Sequence, residues 1–361
     1  MKRDLFVFAG QSNMMGASVY QPKRKISIKN SFEYKHKPRR FGKDTGDFVP
    51  ADLPSGEFSY VDIETAYAPN MVNEKGESLL SDYAKNTFFC PSMSNLRCEK
   101  EKTEFPFASF SEATAQCGVT LAPILAEAWE NEGGNCAYAH ISKGGVPIAH
   151  FMTDKMAEQY AKRIGSYNQK HGTDYSPALR HRMSGAGDYF LEKCRDFFTD
   201  SQKRFQGDDM ENKCFFWLQG ESDAKDSIAE HEIKLDILWE ELKTLGFTHF
   251  FCIRIDFFGN EGIWKVMQAQ ENFVNRHNDA YMLTRAASYF SYAGRNESDW
   301  FVVPPTEDYQ YCRDSFFGYT NQHINEKGFE IIANRAVKNL RRVLINQESP
   351  LLEEENVKAL I

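Results

Sequence analysis

Apolar residues fall in two alternating patterns along much of this chain. Leu5-Phe6-Val7-Phe8-Ala9 is a short continuous apolar run closed by Gly10, which reads as a buried strand. From about Val119, Leu121, Ile124, Leu125, Ala128 and Trp129 recur at helical spacing, and Gly133-Gly134 ends that helix. The strand Cys136 to Ile141 follows, then a helix from Gly187 to Phe205 with Tyr189, Phe190, Cys194, Phe197 and Phe198 on one side. Lys213 to Leu218 is a strand, Ile228 to Leu245 a helix, Phe247 to Ile255 a strand, Ile263 to Asn275 a helix and Ala280 to Thr284 a strand. Glu326 to Leu344 is the last clear helix, with Ile331, Ile332, Ala336, Leu340 and Val343 apolar.

Strands that are apolar throughout and alternate with helices predict an α/β protein with a parallel sheet covered on both faces. In such a sheet, ligands sit beyond the carboxyl ends of the strands. A site proposed for this chain must therefore lie just after its strands.

Between about residues 20 and 110 the periodicity is lost among Lys, Pro, Gly, Ser and Asn. So long an irregular stretch does not belong inside a compact domain. It is expected to be an insertion folded over the main body near the site. Its basic run Lys35-His36-Lys37-Pro38-Arg39-Arg40 reads as a solvated surface, or as a feature that an anionic ligand could use. The expected organisation is one domain over residues 1–346 that carries this insertion, and a tail over 347–361. The tail is acidic with apolar ends, suited to dock on the body or on a second subunit, which leaves a homo-oligomer open.

Composition narrows the partners. Of 361 residues, 42% are hydrophobic and 26% charged, enough apolar surface for a large core, so disorder and coiled coil are excluded as the overall class. The formal net charge of −8 argues against a nucleic-acid or anionic-membrane partner. No apolar run approaches the roughly 18 residues of a membrane span. Met1-Lys2-Arg3 and the apolar run after it imitate a secretory signal, but the run is too short for one. The eight cysteines are scattered, with no CxxC and no Cys/His cluster at zinc spacing. They read as buried free thiols, and a cytoplasmic protein is expected.

Candidate chemistry sits after the strands. Gly10-Gln11-Ser12-Asn13-Met14 follows the first strand, and Ser142-Lys143-Gly144-Gly145 follows the strand 136–141. Trp217-Leu218-Gln219-Gly220-Glu221-Ser222-Asp223 ends another strand, and His323-Ile324-Asn325-Glu326-Lys327-Gly328 precedes the last helix. Taken singly, a serine near a glycine is usually a cap, a Gly-Gly usually a turn, and a lone histidine usually structural. Together they supply the parts of acyl transfer: Ser12 as nucleophile, His323 as base, and N–H groups for an oxyanion.

In these four blocks, in this order, the chain resembles the SGNH (GDSL-like) hydrolase superfamily. Within it the likeness is to the carbohydrate-esterase and sialate O-acetylesterase group with the GQSN start. The resemblance implies a three-layer α/β/α sandwich with a parallel, flavodoxin-like sheet, and a serine esterase that removes O-acetyl groups from a carbohydrate. That carbohydrate would be a sialic acid or an oligosaccharide such as a xylan fragment or a capsule unit. It implies no metal or other cofactor. Ser12 would attack the ester carbonyl, and His323 would take its proton and return it to the leaving sugar hydroxyl. The Ser12 N–H, the Gly144 N–H and the Gln219 side-chain amide would hold the oxyanion, with Gly145 in place of Gly144 if the turn is shifted by one. A carboxylate only accepts, so Glu221 is assigned to orienting the Ser12 loop or binding substrate. Gln11 and Asn13 are supporting or substrate-binding.

One position departs from the family pattern. Thr320 stands where an aspartate usually sits, three residues before the histidine. Losing that aspartate's function costs about 10⁴ in rate in a serine protease. A substitute acceptor for His323 is expected: a backbone carbonyl, the Thr320 hydroxyl, or Asp314 or Asp308. Rival readings are Ser222 as the nucleophile in a degenerate elbow, an acetyltransferase acting on a sugar acceptor, and a catalytically impaired carbohydrate-binding protein. Gly185-Ala186-Gly187 begins a glycine run but follows no strand, so a dinucleotide site is not expected. Asp256 and His150 are further candidates for substrate contact.

Overall fold

The computed structural model describes residues 1–15, 25–35, 46–51, 120–255, 262–288, 324 and 326–352. These form a seven-stranded sheet with helices on both faces. In chain order the elements are β1 (Asp4–Gly10), α1 (Ser12–Met15), β2 (Phe32–Lys35), β3 (Asp47–Pro50), α2 (Leu121–Asn131), β4 (Cys136–Ser142), α3 (Asp154–His171) and α4 (Ala186–Arg204). There follow β5 (Lys213–Leu218), α5 (Ile228–Thr244), β6 (His249–Ile253), α6 (Ile263–Arg276), β7 (Ala280–Thr284) and α7 (Glu326–Arg341). Short 3₁₀ turns lie at Ile148–Phe151 and Glu221–Asp223, and α7 runs on into a π-helical turn, Arg342–Asn346.

The strand order is β3-β2-β4-β1-β5-β6-β7. All neighbours are parallel except β2 and β3, which pair antiparallel at one edge. Successive side chains of the central strands go to opposite faces, as strand geometry requires. Phe6, Phe8, Tyr138 and Phe216 pack with residues of α2 and α7. Leu5, Val7, Ala139, Phe215 and Trp217 pack with residues of α3, α4 and α5. Both sheet faces are buried, which is why β1 is apolar at nearly every position and is consistent with three layers.

Two findings depart from the expectations. The stretch 20–110 is not irregular throughout, because residues 32–35 and 47–50 form β2 and β3, and β2 pairs with β4. Tyr34 anchors this pair: its ring packs on Phe48 and Phe197, and its hydroxyl donates to Asp200 Oδ2 at 2.6 Å. The basic run begins inside β2 at Lys35, and its remainder lies outside the described residues. The second is α3, an eighteen-residue helix that was not among the expected elements. Its only fully buried positions are Met156, Tyr160 and Ile164. Thr153 caps it, accepting the Met156 N–H at 3.2 Å, and Gly172 ends it with φ 68°.

The start of the tail is tied to the body. Asn339 Oδ1 accepts the Leu351 N–H at 2.7 Å, and Asn339 Nδ2 donates to Leu283 O at 2.9 Å. Among the described residues, no helix is long and apolar enough to cross a membrane. Cys136, Cys194, Cys214 and Cys252 are free and buried, and burial pushes their thiols up, to about 12 for Cys136. The other four cysteines lie outside the described residues.

Candidate functional site

Gly10, the last residue of the central strand, pairs in register with Ser142 at the end of β4 and with Leu218 at the end of β5. The three turns carrying the candidate residues therefore leave the sheet at one level and on one edge. The chain leaves β4 and next enters the sheet as β5, on the other side of β1. That crossing makes this edge a topological switch point, where such sheets bind ligands.

Close backbone approach makes the arrangement depend on glycine at position 10. A Cβ there would lie 2.0 Å from Leu218 O and 2.7 Å from Met14 Cβ. The chain turns at once: Gln11 N–H donates to Leu218 O at 3.2 Å and Lys143 N–H to Gly10 O at 3.0 Å, lacing all three turns together. Ser12 opens α1, so its N–H has no helical acceptor. Gly144 lies beside it, since a Cβ on Gly144 would sit 3.4 Å from Met15 Cε and 3.8 Å from Ser12 Cβ. Gly145 has φ 72°, which lets the turn reverse.

Asn13 is fully buried and joins the turn after β1 to two other segments. Its Nδ2 donates to Glu221 Oε1 at 3.0 Å, and its Oδ1 accepts the N–H of Ile324 at 3.1 Å. Gln11 Oε1 accepts the Ser222 hydroxyl at 2.7 Å. The rival nucleophile Ser222 is thus a strut between two turns. His140, buried in β4, has its Nε2 2.9 Å from Met14 O and braces the far end of α1.

Gln219, the expected side-chain donor, is held within the turns. Its Nε2 donates to Val146 O at 3.1 Å and to Asp223 Oδ2 at 2.5 Å, which occupies both N–H groups. Its buried Oε1 is the atom left without a partner among the described residues. In this arrangement Gln219 braces the turn after β4 with the same N–H groups that an oxyanion role would use. Asp223 Oδ2 also accepts the Ile148 N–H at 2.9 Å. The expected residues His323 and Thr320, and also Asp256, lie outside the described residues.

Behind Asp223 lies a buried ionic cluster that the motifs did not reveal. Ligand atoms of Asp223, Asp226 and His231 all lie within 4.8 Å of one another, a separation a metal ion could bridge. Lys234 Nζ, however, stands 2.6 Å from Asp226 Oδ2, and His231 Nδ1 is 3.3 Å from the same oxygen. The ammonium already supplies the compensating positive charge, so the donor set fits an internal ion network better than a cation site. Burial pushes the Asp223 carboxyl up. Burial also opposes charge on Asp226, yet the His231 hydrogen bond and the Lys234 ammonium hold its carboxyl below the usual range.

His150, in the 3₁₀ turn after Gly145, is buried beside Phe151. Burial, with a smaller contribution from Lys143, lowers its imidazole to about 4, so it is neutral at neutral pH.

No family model matches the chain, and no curated protein does. Several solved structures are similar at low identity. NanS aligns at 12% identity with a TM-score of 0.47, over 93% of this chain and 96% of its own. A protein from Arabidopsis thaliana aligns at 12% identity with a TM-score of 0.46, over 94% and 97%. A carbohydrate acetylesterase from Xanthomonas citri aligns at 12% identity with a TM-score of 0.43, over 96% of this chain and 57% of its own. This chain therefore spans little more than half the length of the last. Likeness at this level carries no argument about the reaction.

Proposed function

We propose that the protein is a serine esterase of the SGNH type that removes O-acetyl groups from a carbohydrate. One observation carries the reading. The register of Gly10 with Ser142 and Leu218 gathers Ser12, Gly144 and Glu221 at one sheet edge, at the crossing point of the strand order. The bond from Ile324 N–H to Asn13 Oδ1 supports it, since Ile324 is the residue after His323 in sequence and Asn13 the residue after Ser12.

In this reading Ser12 Oγ attacks the ester carbonyl while His323 takes its proton. The backbone N–H groups of Ser12 and Gly144 receive the negative charge that develops on the carbonyl oxygen. Collapse of the tetrahedral intermediate breaks the ester bond, and His323 returns the proton to the leaving sugar hydroxyl. Water, deprotonated by His323, then cleaves the acyl-enzyme to acetate. Glu221 orients the Ser12 turn through Asn13. The acetylated sugar as substrate class follows the motif resemblance, and the free buried thiols fit a cytoplasmic setting.

Acetate release from a panel of O-acetylated sugars, with p-nitrophenyl acetate as a general ester, tests the reading. Ser12→Ala and His323→Ala should each lose about 10³-fold or more in kcat. Equal turnover by the parent and either variant would sink the assignment. Transfer of the acetyl group to an added sugar, with no free acetate, would replace hydrolysis by acyl transfer.

A further inference from the structure

We infer that Asp223 is a positioning residue that sets the spacing between the turn carrying Gly144 and the turn carrying Gln219 and Glu221. The inference rests on the esterase reading above and adds to it a residue that the reaction scheme does not use.

The two turns leave β4 and β5, which do not pair with each other because β1 lies between them. The sheet's hydrogen-bond ladder holds each strand end to Gly10 but cannot hold the turns beyond those ends to one another. Side chains make that link. Asp223 Oδ2 receives the Ile148 N–H from the β4 side and the Gln219 amide from the β5 side, and the same amide reaches Val146 O. Gln270 Nε2 donates to Gln219 O at 2.9 Å, so α6 holds the backbone end of this link. Gly220 lets the chain pass: its φ is 150°, and a Cβ there would lie 2.6 Å from Val266 Cγ1.

The chemistry of the position supports an oriented acceptor over a packing role. Asp223 is buried, and an apolar side chain of similar size would avoid the desolvation cost of a carboxylate. The Lys234 ammonium behind it, paired with Asp226, offsets part of that desolvation cost. A carboxylate oxygen with two lone pairs can take both N–H groups at once. Only three residues lie between Gly144 and Ile148, so freedom at Ile148 becomes freedom at the N–H that would receive the oxyanion. Misplacement by about 1 Å can cost about 10²-fold in rate.

The test compares Asp223→Ala and Asp223→Asn with the parent, using p-nitrophenyl acetate turnover and amide hydrogen exchange over residues 144–148. Asp223→Ala should lower kcat about 30- to 300-fold with KM within about 3-fold, and should speed exchange of the Ile148 amide. Asp223→Asn keeps an oxygen that accepts both N–H groups, so it should recover kcat to within about 5-fold of the parent and restore slow exchange. An Asp223→Ala protein with parental kcat, or with unchanged exchange at Ile148, overturns the inference, as does an Asn variant as slow as the Ala variant. If Asp223→Ala does not fold, Gln219→Met removes both bonds donated by that amide at near-constant volume, and faster exchange at Ile148 is again the required result. When Ser12→Ala abolishes turnover and Asp223→Ala does not slow it, the esterase reading stands and this inference alone is lost. A parent without activity on any ester removes both.

Discussion

Asn13 Nδ2 donates to Glu221 Oε1 at 3.0 Å, in a place where Asn13 is fully buried. The carboxylate after β5 is thereby tied to the residue next to Ser12, and the other end of the same amide holds Ile324. One side chain of moderate size thus sets the relative placement of segments more than two hundred residues apart.

Asn13→Ala removes both bonds and leaves a buried N–H and a buried carboxylate oxygen without this partner. Each such loss costs about 1–3 kcal/mol. The expected outcome is a drop in unfolding free energy of about 2–5 kcal/mol, with turnover falling even under conditions where the variant is fully folded. Denaturant midpoints and p-nitrophenyl acetate turnover check this. A fully stable and fully active Asn13→Ala protein would show that the bridge does nothing.

Gly10→Ala places a methyl group 2.0 Å from Leu218 O. Backbone cannot move aside there without parting β1 from β5. Overpacking of this kind costs about 1–3 kcal/mol or more. Thermal unfolding should show a clear loss of stability, and labelling of Ser12 by a fluorophosphonate should slow.

His150 gives a pH signature in stability. Its folded-state value of about 4 lies below the ordinary 6.5, so the unfolded chain binds the proton more readily. Its contribution to stability is complete above about pH 6.5 and is lost as pH falls from there to about 4, at most about 3 kcal/mol. His150→Phe should flatten that part of the stability curve. Chemical denaturation at a series of pH values reads the difference in slope, and parallel curves for parent and variant would refute it.

Ser222→Ala should keep turnover within about 10-fold of the parent, because the hydroxyl contributes only its hydrogen bond to Gln11, worth about 1 kcal/mol. Peptide mapping after fluorophosphonate treatment should find the label on Ser12 in both proteins. A label on Ser222 would reverse the assignment.

How much of this was legible in the chain varied with the physics of each element. β1 was plain because a strand buried on both faces must be apolar at nearly every position. The turn glycines and Ser12 were found because they follow such strands directly. α3 escaped because its buried stripe is a single line of residues four apart, Met156, Tyr160 and Ile164, on an otherwise polar helix. β2 and β3 escaped because four-residue strands at a sheet edge carry too little period to register. At the end of α7 the periodicity marks helix but cannot tell an α-helical from a π-helical turn. The chemistry of Gln219 marks it as a donor, while the direction its amide faces depends on Asp223 and Val146, partners that only the folded turns bring near. Asp223 lies within the motif after β5, but its role is visible only in the contacts it makes there.

The common register at Gly10 also bears on how such a protein can change over time. Three candidate turns take their origin from adjacent strand ends, so their starting points are inherited from the register of the sheet. Sequence drift that leaves β4, β1 and β5 paired at these ends preserves the common level from which the turns depart, so the frame outlasts changes in the side chains it carries.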